Sequence, residues 1–114
     1  MGAPCPQGLK PARFVTFSLV VQTANAASPV TGANAGTPSN WAVVLLFQGA
    51  KPGLGGSNTG TVLLSGGGIP DFPIAPDETG AVDLPPGFAV YLPDLTVSGA
   101  NVGDAVTFFA AIVE

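Results

Sequence analysis

Glycine and proline punctuate this chain throughout, sixteen of the first and twelve of the second in 114 residues. The runs between them are apolar and rich in β-branched and aromatic side chains. Interior proline breaks a helix and interior glycine weakens one, whereas short strands fit between such turns. Residues 13–24 (RFVTFSLVVQTA) set Val15, Phe17, Leu19 and Val21 against Phe14, Thr16, Ser18, Val20 and Gln22, the period of two of a strand with one buried face. Residues 41–48 (WAVVLLFQ) are continuously apolar, which predicts a strand buried on both faces. Further strands are expected at residues 59–65, 81–84, 88–92, 95–98 and 104–113. In the last of these Ala105, Ala110 and Ala111 suit a helix, but Val106, Thr107, Phe108, Phe109, Ile112 and Val113 favour a pleated surface.

The connections are equally legible. Residues 25–40 and 49–58 are small and polar and read as loops. After Gly66, Gly67 and Gly68, prolines recur at 70, 73 and 76. That spacing predicts polyproline-like backbone with unpaired polar groups, from which Phe72 and Ile74 point into a groove on this protein or a neighbour. Residues 1–12 (MGAPCPQGLKPA) carry three prolines and two glycines and read as an extended N-terminal arm. The expectation is an all-β chain: an antiparallel β-sandwich or small barrel of about six or seven short strands. Its single domain covers residues 13–114.

Charged residues make up 9% of the chain, against about 25% in ordinary soluble domains. A free monomer so thinly charged leaves apolar surface in water, so much of that surface is expected to be covered by other protein. The net charge is −4, with bases only at Lys10, Arg13 and Lys51, which argues against nucleic acid as a partner. All seven acids lie at or after Asp71, and this segregation can set register between neighbouring copies. No run reaches the ~18 apolar residues of a membrane helix, so no membrane partner is expected. Lys10 and Arg13, the apolar residues 14–21 and Ala24-Asn25-Ala26 imitate a secretion signal. Thr16 and Ser18 interrupt the apolar run and Pro11 the basic one, so the segment is read as a strand, with export to the cell surface as the alternative.

Reaction chemistry finds little support. The absence of histidine excludes histidine-based acid–base catalysis. Cys5 has neither a disulfide partner nor zinc co-ligands. Asp71, Asp77, Glu78 and Asp83 lie close in sequence, but acids beside proline and glycine are turn residues: Asp77 and Asp94 suit the first turn position, and Asp104 caps or ends a loop. The alternating-acid calcium loop is missing, and residues 53–58 lack the lysine of a phosphate loop. No catalytic residue, metal or cofactor is assigned, and an enzyme is not expected. The aromatic residues are read as packing rather than as a sugar platform. Interface candidates are Phe72, Ile74, Trp41, Phe108 and Phe109.

An arm at residues 1–12, a compact β domain, a proline-paced segment at residues 69–76 and few charges together resemble, in general plan, the small β-rich head decoration (cement) proteins of tailed bacteriophages. The resemblance implies a viral structural role. Its partners would be copies of the chain, as dimer or trimer, and a major capsid or other structural protein. It places the chain in the virion, assembled in the host cytoplasm. Other readings are a sandwich binding module for glycan or receptor, and a bacterial surface or pilus-like subunit.

Overall fold

A computed structural model describes residues 11–27, 36–51, 56–82, 84 and 88–113. Among these residues eight strands follow one another: β1 (Pro11–Val20), β2 (Trp41–Gln48), β3 (Val62–Gly66), β4 (Ile69–Ile74), β5 (Thr79–Ala81), β6 (Val90–Tyr91), β7 (Leu95–Ser98) and β8 (Ala105–Val113). A 3-10 turn at Leu92–Asp94 leads into β7, and the described residues contain no α-helix. β8 takes the middle of the larger sheet, antiparallel to β1 on one side and β2 on the other. β6 and β5 pair with the start and end of β2. The smaller sheet runs β4-β3-β7, antiparallel throughout. Neither closes into a barrel; the fold is sandwich-like.

The core lies between the sheets. The larger contributes Phe17, Leu19, Leu45, Phe47, Val106, Phe108, Ala110 and Ile112; the smaller contributes Val62, Leu64, Ile69, Ile74, Leu95 and Val97. Phe17 and Phe108, opposite each other in register, stack at 5.1 Å between ring centroids. The predicted alternation of the first strand holds: Phe17, Leu19 and Val21 are buried, while Phe14 and Thr16 are exposed. Cleavage after Ala26 would therefore remove β1 and three buried side chains.

Three expectations need correction. β1 begins at Pro11, two residues inside the segment assigned to the arm, because proline is tolerated at the first position of an edge strand; residues 1–10 lie outside the described residues. β2 is buried on one face only, with Val44, Leu46 and Gln48 exposed, since nothing among the described residues packs on the other side. The proline-paced segment is not polyproline-like: residues 69–74 form β4, paired with β3. Because β4 is an edge strand, Pro70 and Pro73 need no hydrogen bond on its open side. The expected antiparallel sandwich of short strands holds, with eight strands, two of them only two or three residues long.

Two devices fix the ends of the strands. Asn58 Nδ2 donates to the Ala105 carbonyl at 2.7 Å, and the Ala105 N–H donates back to Asn58 Oδ1 at 2.8 Å. The Asn58 amide thus imitates one more strand residue at the start of β8. Beside it, the buried Asp104 carboxyl accepts the Thr59 and Gly60 N–H groups at 2.8 and 2.9 Å. In the β3–β4 hairpin Gly66 faces Ile69, and the two intervening residues, Gly67 and Gly68, have φ of 66° and 83°. Positive φ at both central positions is what a type I′ turn requires.

Asn58→Ala leaves the buried N–H and C=O of Ala105 unpaired and is expected to cost about 2–4 kcal/mol, measured by denaturant unfolding followed through the single tryptophan. Gly66 and Gly103 share a similar backbone, with φ of 92° and 97°. An added Cβ at Gly66 collides with the Asp94 carbonyl, whereas at Gly103 it meets nothing within 4 Å. Both alanine variants should lose roughly 1–3 kcal/mol to the left-handed backbone, with Gly66→Ala clearly the worse; equal melting temperatures would contradict that packing.

Candidate functional site

Residues directly opposite in an antiparallel ladder share a face, so the register sorts the larger sheet row by row. Val15, Ala110 and Leu45 form one inward row; Phe17, Phe108 and Phe47 form the next. The outward rows are Phe14, Ala111 and Val44, and then Thr16, Phe109, Leu46 and Ala81. Phe14 is 72% exposed, Phe109 47%, Leu46 41% and Val44 40%. These are four of the five exposed large apolar side chains among the described residues; the fifth, Val102, sits in a turn.

The stripe has two distinct ends. Trp41 faces both Tyr91 and Val113 in register, and the Trp41 and Tyr91 rings pack at 5.2 Å, each half-buried. At the opposite end Ser18, Thr107, Gln48 and Thr79 make a polar row. There the Ser18 and Thr107 hydroxyls lie 3.1 Å apart, and Thr107 donates to the Ala50 carbonyl at 3.2 Å. No charged residue occupies any of these outward rows. The outer face of the smaller sheet differs: Pro73, Leu63 and Ser98 share one row, Ser65 and Thr96 another, and Asp71 is exposed on β4.

The interface candidates divide between core and surface. Ile74 and Phe108 are fully buried within the chain, so both are core residues rather than surface offered to a partner. Phe72 is half-buried and packs edge-on against Phe47 at 5.2 Å; the groove it enters belongs to this protein. Trp41 and Phe109 do lie on the outer face. Phe14, Val44 and Leu46 join them there without having been singled out by sequence. Their signal was present: Phe14 alternates with the inward Val15, and Val44 and Leu46 alternate with the inward Leu45 and Phe47.

The polar clusters serve turns. Ser57 Oγ donates to both Asp77 carboxyl oxygens at 2.9 and 3.0 Å, and the Ala75 N–H donates to Glu78 Oε1 at 2.9 Å. Asp77 holds φ of 63°, a left-handed conformation that aspartate tolerates better than most residues. These contacts tie residues 56–58 to the β4–β5 turn. Asp83 lies outside the described residues. An open cleft of about 330 Å³ is lined by Gly66, Gly67, Gly68 and Asp94, with one carboxylate and no second polar side chain converging on it. Comparison with family models, curated proteins and solved structures finds no match to this chain.

Adjacent residues of β8 should therefore respond oppositely to truncation. Phe108→Ala empties the stack on Phe17 and is expected to cost about 3–5 kcal/mol, whereas Phe109→Ala, on the outer face, should stay within about 1 kcal/mol. Paired urea titrations decide between this and a sheet whose two faces are equally covered.

Proposed function

We propose that this chain is a non-enzymatic structural subunit of a virion, a decoration or cement protein that stabilises the capsid through subunit–subunit contacts. The observation that carries the reading is the gathering of Phe14, Val44, Leu46 and Phe109 on one uncharged sheet face. A large exposed apolar patch marks a surface meant to be covered, and in a chain with few charges it suits permanent burial between proteins. The Ser57–Asp77 pair, the most reaction-like contact among the described residues, anchors a turn and has no histidine to complete it. The general plan shared with phage cement proteins supplies the kind of assembly. The secretion-like segment forms β1 and feeds the core, which supports its retention in the working protein.

The Trp41–Tyr91 pair favours a second reading, a glycan-binding module with these rings as its platform, since stacked aromatics at a surface suit sugar rings. Quenching of Trp41 fluorescence by a panel of oligosaccharides would favour that module over the structural subunit.

The structural reading predicts that virions purified from the system encoding this chain contain it in a fixed ratio to the major capsid protein. Adding the purified chain back to depleted particles should raise the temperature at which they release their genome. Particles lacking the chain, or heat release unchanged by adding it, would remove the cement role.

A further inference from the structure

We propose that the occupant of the uncharged outer face is a second copy of this chain, giving a two-fold dimer in which the larger sheets meet face to face. The inference deepens the structural-subunit reading and rests on it for biological setting, but its geometry stands separately. Charge makes the selection. The chain carries −4, so two copies repel one another across most orientations. Asp71 on β4, Asp77 and Glu78 on the β4–β5 turn, and Asp94 before β7 all lie off the outward rows of the larger sheet. Among the described residues, this face lets two copies of like charge meet without opposing carboxylates. A basic partner, by contrast, would find its complement on the acidic surfaces and gain nothing from this one.

Layout agrees, and the extent, about 1,000 Å² over two copies, reaches the lower bound of a specific interface. Four strands at ~4.8 Å spacing and four rows ~6.8 Å apart, with side-chain margins, give a footprint of roughly 20 by 25 Å. This is about 500 Å² before the relief of protruding rings is added, against ~800 Å² per partner in a standard interface. The order of side chains suits such an interface, which has an apolar centre and a polar rim. Phe109 and Leu46 take the centre, flanked by Phe14 and Val44. Ser18, Thr107 and Gln48 form the rim at one end, and Trp41 with Tyr91 closes the other. A two-fold axis near Phe109 sets the two β8 strands across each other at the ~30° of aligned sheet packing, and the dimer becomes four sheets deep.

The test uses the full chain in sedimentation across micromolar concentrations, alongside Phe109→Asp and Leu46→Asp. Wild type is expected at twice the chain mass. Each variant, acting twice across the symmetric interface, should weaken dimerisation by about a thousandfold while leaving the circular dichroism unchanged. Should a variant fail to fold, a photo-crosslinker placed at Phe109 gives the answer independently: cross-links to residues 41–48 or 105–113 of the second copy support the face, and cross-links to β4 or β7 overturn it. A monomeric wild type, or a dimer that survives both aspartates, overturns it as well. A monomer that still binds virions would sink the dimer and spare the cement reading. A face-to-face dimer absent from every particle would do the reverse.

Discussion

The larger sheet depends on the double ladder of β8, which supplies backbone partners to β1 and β2 at once and side chains to both surfaces. Its inward residues, Val106, Phe108, Ala110 and Ile112, are fully buried. Its outward residues include Thr107, Phe109 and Ala111. Alanine stands at the middle of two successive rows, one on each face: Ala110 lies between Val15 and Leu45, and Ala111 between Phe14 and Val44. Bulk therefore comes from the flanking strands, and the central strand stays slim where its neighbours are large. The Asn58 amide and Asp104 carboxyl hold the start of this strand, so the loop leading to β3 is set by the same contacts that begin β8.

The two outer surfaces of the sandwich consequently differ in kind. The smaller sheet turns serine, threonine, proline, Leu63 and an exposed aspartate outward, largely as a solvated antiparallel sheet does, and its β4 edge is blunted by Pro70 and Pro73 against pairing with another chain. The larger sheet turns phenylalanine, leucine and valine outward with no charge among them. A β4 edge protected against adventitious pairing, next to a face left apolar, fits the proposed dimer, whose contacts are made by side chains of one surface.

Much of this organisation could be read from the residues. The alternation of Val15, Phe17, Leu19 and Val21 identified both β1 and its inward side, because a single solvated face leaves a period of two. The β character of residues 105–113 followed from Val106, Thr107, Phe108 and Phe109 in spite of three alanines. The continuous run WAVVLLFQ was less transparent. A strand covered on both faces within its own chain and a strand with one apolar face left uncovered have the same apolar sequence, and only the absence of a third layer among the described residues separates them. For the same reason Phe108 and Phe109 were indistinguishable as neighbours in a run, although one is core and the other surface. Ile74 was misplaced because proline spacing suggested free extended backbone; pairing with β3 returns it to the core.

The register of the outermost strand has a consequence for synthesis. Ser18 and Thr107 face one another across 89 residues of sequence, and β2 likewise takes its longest ladder from β8. Both earlier strands leave the ribosome before their common partner has been translated. Long-range pairing of this kind is slow, and unpaired apolar strands invite aggregation in the interval. Nascent chains held in proximity on one messenger would expose these segments to each other before any had closed its own sheet. The late arrival of the central strand thus delays closure of the larger sheet until well after β1 and β2 have been made.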